Sequence, residues 1–276
     1  MSEVFDCTTP EGLTAGVEAA AAAVREGKVV VLPTDTVYGI GCDAFSADAV
    51  AAVLAAKGRG REMPPPVLVP NLRTVDGLAR DLPDYARALI RAFWPGALTL
   101  VVTSQPSLAW DLGETNGTVG IRMPNDATAL ALLVAIGPMA VTSANLSGRP
   151  AATTVADAQE QLGASVAVYL DAGPLGQSAG PALPSTILDC TGSEPVTLRE
   201  GALARATIDE ALAEAARVAE EERVAAAERE VEEAAAEQRA ALAALRTGKG
   251  VGRPTRKTPP AAGPRSGHVA GRRREP

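Results

Sequence analysis

Short apolar runs divide this chain into candidate strands separated by helical patterns. Val29 to Leu32 is the first run, and Leu98 to Thr103 (LTLVVT) is mostly β-branched, which favours a strand. Gly, Pro and small polar residues bound these runs, and none approaches the ~18 apolar residues that can cross a bilayer. We therefore predict strands over 28–32, 67–69, 98–103, 119–122, 139–142, 166–170, 185–190 and 196–199.

Helices are predicted between the strands from apolar spacing and from N-cap residues. Thr8 and Glu11 have the spacing of a capping box, as do Thr207 and Glu210 later in the chain. Pro33, Gly39 and Gly41 indicate a Gly-broken turn after the first strand. The predicted helices run from the first capping box to Gly27, from Ser46 to the vicinity of Lys57, over 71–79, 84–93 and 126–136, from Thr154 to Leu162, and over 208–246.

Strands and helices mingle without a strict βαβ rhythm, so we predict an α/β domain with a mixed, twisted sheet over residues 1–206. Residues 207–246 are rich in Ala, Glu and Arg and lack Gly and Pro, which predicts a helical extension. The sparse large apolar residues there are compatible with a solvated helix, or with a coiled-coil arm of thin seam. Residues 247–276 are rich in Gly, Pro and Arg and predict a disordered basic tail.

Charge is unevenly distributed along the chain. The formal net charge is −7, but residues 246–276 hold nine Lys or Arg and one acid, a net of +8, which leaves −15 for the rest. An acidic body is unsuited to general nucleic-acid binding, whereas the tail is able to contact RNA weakly.

Cysteine and histidine usage excludes several classes of enzyme. Cys7, Cys42 and Cys190 lie far apart without a C-x-x-C pair, so neither a disulfide framework nor a zinc site is indicated. His268, in the tail, is the one histidine, which excludes Ser-His-Asp and Cys-His chemistry in the domain. We expect no protein-bound metal. The sequence lacks a secretory signal pattern, so we expect a soluble, cytoplasmic protein with no membrane contact.

Polar residues gather where predicted strands end. Thr34 and Tyr38 follow the first strand, Arg122 ends another after Thr118, and Ser143 opens the turn to Asn145. Ser185 and Arg199 lie at the ends of the last two strands. Ligand sites in open sheets form at strand ends, although each residue alone is equally explained as a turn or surface residue.

Three cations follow the second predicted helix. Lys57, Arg59 and Arg61 alternate along the chain, and on an extended loop they point the same way and can converge on a triphosphate. The simpler interpretation is cations favoured by the helix C-terminus. There is neither a Walker A motif nor G-x-G-x-x-G, so a nucleotide binds in another way if it binds here.

The motifs together identify a family. PTDTVYGIG at 33–41, KGR at 57–59, TSANLSG at 142–148, PSTI at 184–187 and LREGAL at 198–203 resemble, in order, the YrdC-like L-threonylcarbamoyladenylate synthases. The resemblance covers roughly residues 10–205 and implies one twisted α/β domain with a large, positively lined concave cleft. It also implies the family reaction, in which L-threonine, bicarbonate or CO2 and ATP give L-threonylcarbamoyladenylate and pyrophosphate.

The same resemblance implies roles for the candidate residues. Thr34, Tyr38, Arg122 and Ser185 are expected on the L-threonine, and Lys57 and Arg59 are expected to act in catalysis as well as on the nucleotide. Mg2+ is expected to arrive on the phosphates of ATP. The product is expected to pass to a tRNA threonylcarbamoyltransferase complex for modification of adenosine 37. The expected ATP-binding set is Lys57, Arg59, Arg61, Thr118, Ser143, Asn145 and Arg199.

Two departures from the family pattern follow the KGR motif, one of them within the next predicted strand. Met63 stands where many members have a second lysine, and Leu68 stands where they have a histidine. Two other functions remain open: a non-catalytic RNA- or ribosome-binding factor of the same fold, and the carbamoyl-transfer module of hydrogenase maturation. The second is disfavoured because this chain lacks the zinc-finger cysteines and the acylphosphatase-like segment of that protein.

Overall fold

A computed structural model describes residues 2–176 and 182–246. These described residues form ten strands, and all ten join one sheet. In chain order they are β1 (Glu3–Asp6), β2 (Val30–Leu32), β3 (Gly39–Asp43), β4 (Val67–Leu68), β5 (Leu98–Thr103), β6 (Thr118–Arg122), β7 (Met139–Ser143), β8 (Val168–Asp171), β9 (Thr186–Asp189) and β10 (Val196–Arg199).

The same part of the chain forms seven α-helices, and a 3-10 turn covers Gly163–Ser165. They are α1 (Pro10–Arg25), α2 (Ala47–Lys57), α3 (Leu72–Leu78), α4 (Asp84–Phe93), α5 (Ala127–Ile136), α6 (Val155–Leu162) and α7 (Arg205–Arg246). The spatial strand order is β1-β8-β2-β3-β7-β4-β6-β5-β9-β10. Parallel pairs (β1 with β8, β4 with β6) lie beside antiparallel ones (β2 with β3, β3 with β7), so the predicted mixed α/β sheet is confirmed.

Side-chain alternation divides the core between the two faces of the sheet. Val31 packs in the larger cluster with α2, α4 and α6, whereas Val30 and Leu32 pack in the smaller cluster beneath α1 and α5. Both faces of the central strands are therefore buried, which explains why β2 is a continuous apolar run rather than an alternating one.

Helix caps correct the sequence-based boundaries by one or two residues. Ser46 and Thr154 cap α2 and α6 as predicted, by accepting a hydrogen bond from the third following backbone N–H. Thr9, not Thr8, is the N-cap of α1, because its hydroxyl accepts from Gly12 N. The second predicted capping box is wrong, since α7 already begins at Arg205 and Thr207 lies inside its first turn.

Two strands were not predicted from the sequence. Residues 39–43 form β3, paired antiparallel with both β2 and β7, where the glycines indicated a turn. A Cβ on Gly39 or Gly41 would lie 2.7 or 2.6 Å from a methyl carbon of Val141. Glycine is therefore required by a close approach rather than by a turn. The other missed strand, β1, lies at the edge of the sheet.

The chain divides into two compact units. The first comprises Met1–Glu220, and it includes the fully buried Ile208 of α7. The described part of the second is the helical segment 221–246. The predicted boundary at 206 stays a prediction, and the tail predicted to be disordered, 247–276, lies outside the described residues. Among the described residues, no helix is long and apolar enough to cross a membrane.

Candidate functional site

The turn between β2 and β3 is fixed by the hydroxyl of Thr34. Thr34 Oγ1 donates to Val37 O at 2.6 Å and accepts from Thr36 N at 3.2 Å and Val37 N at 3.3 Å. Its single proton is thus used, so in the 2.9 Å contact between the two threonine hydroxyls Thr36 must be the donor. The Thr36 oxygen remains free to accept from Arg122 Nη1, which lies 3.1 Å away.

Arg122, at the end of β6, is held on three sides. Nε donates to Gly96 O at 2.9 Å, Nη1 to Thr36 Oγ1, and Nη2 to Asp35 Oδ1 at 2.6 Å. The same Asp35 oxygen accepts from Asn125 N at 2.9 Å. Burial lowers the pKa of Arg122, while Asp35 opposes that shift. Two of the five guanidinium N–H groups are left for a ligand, in a fixed plane suited to a carboxylate.

Two further arginines line the same cavity as Arg122. Arg199, at the end of β10, donates from Nε and Nη2 to Ser185 O at 3.0 and 2.7 Å. Its pKa is lowered by burial and then by the positive charges of Arg122 and Arg59. Arg59 donates to Thr142 Oγ1 at 3.1 Å, and its buried Nε has no hydrogen-bond partner. Like charges held together in this way favour an anionic ligand.

Lys57 lines neither of the cavities described below but bonds to residues that do. Its Nζ donates to Ser143 O, to Asn145 O at 2.7 Å and to Asn145 Oδ1 at 3.5 Å. Three acceptors match the three donors of an ammonium group. Burial, and then the nearby Arg59, lowers the pKa of Lys57 to about 8. The observed role of Lys57 is therefore to hold the turn that follows β7.

These side chains surround a small cavity that adjoins a large one. The small cavity, about 130 Å3, is lined by Thr34, Arg59, Arg122, Ser185 and Arg199 among others. The large cavity, about 990 Å3, has Asn145, Arg149 and the start of α6 in its walls. Ser143, Pro184 and Arg199 line both cavities. Of the three arginines, Arg199 thus lies at the boundary between the two cavities, while Arg59 and Arg122 line the small one.

Four of the candidate residues line neither the small cavity nor the large one. Tyr38 is fully buried, and its hydroxyl donates to Gly173 O at 2.7 Å and accepts from Ala172 N at 3.0 Å. Arg61 is exposed and pairs with Asp111. Thr118 donates to Thr115 O and lines a separate cavity of about 240 Å3. Lys57 donates to the backbone of Ser143 and Asn145 instead. The expected contacts of Tyr38 and Arg61 with substrate are therefore not supported by their positions.

Other residues of the site were not assigned a role from the sequence. Thr99 lines the small cavity and contacts Ser185 Oγ at 2.8 Å, and Asp35 and Thr36 hold Arg122. A polar residue at an inward position of an apolar strand was the available signal for Thr99. At the two family departures, Leu68 lines the small cavity, whereas Met63 is exposed. No group of three or more His, Cys, Asp or Glu side chains suited to a metal occurs in residues 2–176 and 182–246.

Comparison with known proteins finds relatives of this chain. A sequence model of the Sua5/YciO/YrdC family, described as "Telomere recombination", matches residues 22–201. A Mycobacterium tuberculosis protein named "Putative threonylcarbamoyl-AMP synthase" is 55% identical over 212 residues, which are 77% of this chain and 96% of that protein. A Bacillus subtilis threonylcarbamoyl-AMP synthase is 40% identical over 193 residues, covering 69% of this chain and 54% of the relative.

A solved structure with a ligand also matches. The crystal structure of Pyrococcus abyssi Sua5 complexed with L-threonine superimposes with a TM-score of 0.67 and 34% identity, over 71% of this chain and 56% of that one. This chain thus spans little more than half of the Bacillus and Pyrococcus proteins, but nearly the whole of the mycobacterial one. The resemblance inferred from the sequence is confirmed, and the chain belongs to the Sua5/YciO/YrdC family.

Proposed function

We propose that this chain is an L-threonylcarbamoyladenylate synthase, which converts L-threonine, bicarbonate or CO2 and ATP into threonylcarbamoyl-AMP and pyrophosphate. The observation that carries the proposal is the pair of adjoining cavities, one suited to an amino acid and one to a nucleotide, with Ser143 and Arg199 in the wall of both. The names of relatives that are 40–55% identical support the same reaction.

The small cavity is assigned to L-threonine. Arg122 has two N–H groups left for the substrate carboxylate, and its orientation is fixed by Gly96, Thr36 and Asp35. Ser185 is assigned to a polar group of the same substrate. The substrate amine takes up CO2 to form a carbamate, for which the protein has to supply position and compensating charge rather than a nucleophile.

The large cavity is assigned to ATP. A carbamate oxygen attacks the α-phosphorus, the bond from that phosphorus to the bridging oxygen breaks, and pyrophosphate leaves with its electron pair. Arg199, in the wall of both cavities, and Arg59, in the wall of the small one, are assigned to neutralise the charge that develops there. Lys57 contributes by holding the Ser143–Asn145 turn. Mg2+ is assigned to the ATP phosphates as part of the substrate.

The cellular setting follows from the proposed product. Threonylcarbamoyl-AMP is a mixed anhydride, so it must be consumed by an acyl transfer, which we assign to a tRNA threonylcarbamoyltransferase complex acting on adenosine 37. A cytoplasmic location, which substrate supply and product use both favour, is part of the proposal. Contact of the basic tail with RNA stays a prediction.

The test is pyrophosphate release by the full-length protein with ATP, Mg2+ and bicarbonate, measured with and without L-threonine. We expect release to depend on threonine and to fall strongly in Arg59→Ala and Arg199→Ala. Arg61→Ala is the matched control: it also removes one arginine, but this arginine is exposed and paired with Asp111, so activity should be retained.

Two results would count against the proposal. Threonine-independent release, or no release although ATP binds, would assign the fold to another substrate or to a binding role. In that case salt-dependent RNA binding by the full chain would support the alternative of an RNA-binding factor. An equal loss of activity in Arg61→Ala would show that general electrostatics, rather than the converging arginines, drive the reaction.

A further inference from the structure

We propose that Leu68 and Val141 form an apolar floor that selects the amino-acid substrate by its methyl group, so that L-threonine is preferred over L-serine. The inference rests on the proposed function, since it assigns the side chain of the substrate within the same small cavity. The observations that carry it are strand register, burial and the packing of two glycines.

Strand register places this floor beside the carboxylate-binding arginine. Leu68 of β4 pairs with Arg122 of β6, so the two side chains project from the same face of the sheet. Leu68 also pairs with Met139 of β7, and Val141, two residues further along, faces the same way. Both Leu68 and Val141 line the small cavity and are at most 4% exposed.

The other lining residues are both polar and apolar. The guanidinium of Arg59 and the hydroxyl of Ser185 offer partners to the carboxylate, carbamate or hydroxyl of a substrate, whereas Val37, Pro64, Pro66 and Ile187 extend the apolar surface. A methyl group has no such partner, and it is stabilised only by leaving water for an apolar surface. A substrate whose carboxylate is held by Arg122 has its side chain directly beside the floor.

The position of Val141 is fixed by the two glycines of β3. Its methyl groups occupy the space that a Cβ would take, 2.7 Å from the Cβ position of Gly39 and 2.6 Å from that of Gly41. Gly39 and Gly41 of the sequence motif therefore determine how closely the Val141 side chain approaches β3. The Val141 side chain is therefore held in one closely packed position, which is what discrimination of a single methyl group requires.

The experiment measures binding by calorimetry and turnover by pyrophosphate release, for L-threonine and L-serine, in the full-length protein. One methyl group in an apolar pocket gives about 10- to 200-fold discrimination, and we expect the wild-type preference for threonine to lie in that range. In Leu68→Ala the two affinities should approach each other, mainly because threonine is bound more weakly.

Leu132→Ala is the matched control. Leu132 of α5 is fully buried in the same core cluster as Leu68 but does not line the small cavity, so it loses the same atoms without changing the floor. Its preference for threonine should equal that of the wild type. If circular dichroism shows that Leu68→Ala is unfolded, Leu68→Val tests the same change in milder form, with a smaller loss of preference.

An unchanged threonine-to-serine ratio in a folded Leu68 variant overturns the inference, as does an equal loss in Leu132→Ala. The outcome is separable from that of the proposed function. Binding with the expected preference but without pyrophosphate release leaves the floor established and removes the synthase assignment. Threonine-dependent release with no preference over serine supports the synthase assignment and removes the inference about the floor.

Discussion

The ion pair between Asp35 and Arg122 gives the sharpest quantitative prediction. The two side chains are 15% and 7% exposed and lie 2.6 Å apart, so the charged groups are largely shielded from water, although Asp35 as a whole residue is exposed. Removing one partner of a buried pair leaves an uncompensated charge, which typically costs about 3–5 kcal/mol. That cost applies to Asp35→Ala. Asp35→Asn keeps an oxygen facing Arg122 but removes the charge, so we expect a loss of about 1.5–3 kcal/mol.

Asp35 also has a predicted effect on substrate binding. With Asp35 changed, Nη2 of Arg122 loses the partner that fixes its plane, and a bound carboxylate then has to order the guanidinium itself. The KM for L-threonine should therefore rise, while the KM for ATP changes little. Asp35→Glu, which restores the charge with one more methylene, should recover part of the threonine KM.

The assay combines urea unfolding with steady-state kinetics. The matched control is Asp111→Asn, which breaks an ion pair of nearly the same length, 2.7 Å, between side chains that are 54% and 45% exposed. Exposed pairs contribute little to stability. Equal losses in Asp35→Asn and Asp111→Asn would show that burial does not decide the strength of these pairs. An unchanged threonine KM in Asp35→Asn would refute the positioning role.

Three further predictions concern groups around the site. In Gly41→Ala the new Cβ meets Val141 and displaces it into the cavity, which should lower the free energy of unfolding by about 1–3 kcal/mol and weaken threonine binding. Urea unfolding and calorimetry measure these two effects. Gly77→Ala, where the new Cβ lies in open space, should show neither. Between its folded pKa of about 8 and its ordinary value of 10.5, Lys57 binds a proton only in the unfolded chain. The free energy of unfolding of the wild type should therefore rise with pH across that window, by about 3 kcal/mol at most, and Lys57→Gln should lack this rise in pH-dependent urea titrations. Tyr38→Phe leaves Ala172 N and Gly173 O without their partner, so thermal unfolding should show a loss of about 1–3 kcal/mol; an unchanged KM for threonine would confirm that the hydroxyl is structural.

Much of the fold could be predicted because its signals are local. Helices α2 and α5 follow from caps and apolar content, and β5 follows from a β-branched run. Strand β3 could not be predicted in this way, since two glycines in three residues resemble a turn. What makes them a strand is Val141, about 100 residues later, whose side chain fills the space above the glycines. Such a requirement lies in the tertiary structure and leaves no periodic pattern.

Strand ends near the cavity could be located from the sequence, whereas the directions of side chains could not. The alternation assumed for Lys57, Arg59 and Arg61 requires an extended loop. Instead, Lys57 is the last residue of α2, and Gly58 follows it in the left-handed conformation with φ of 60°. The chain therefore turns between the first two cations, so Arg59 lines the cavity while Arg61 lies at the surface beside Asp111.

Tyr38 illustrates how strand pairing decides the direction of a side chain. It enters the larger core cluster with Ile40 and Cys42, while Val37, one residue earlier, lines the cavity. This is the ordinary alternation of an extended segment, and it became applicable once residues 39–43 were known to be a strand. The direction of the Tyr38 side chain could therefore not be worked out while Gly39 and Gly41 indicated a turn.

The position of the cavity on the sheet explains why its polar residues are tolerated. Helix α1 packs over β2, β3 and β8 on one face, and the cavity opens farther along that face, where Arg122 and Thr99 project from β6 and β5. These two residues are 5% and 2% exposed, and each has a hydrogen-bonded partner in the protein. A buried polar side chain on an otherwise apolar strand is costly unless it is paired, so such residues are expected where a sheet face meets a ligand instead of a helix. By this criterion the strand sequences alone contain the location of the site, in the polar positions of β5 and β6 that interrupt their apolar pattern.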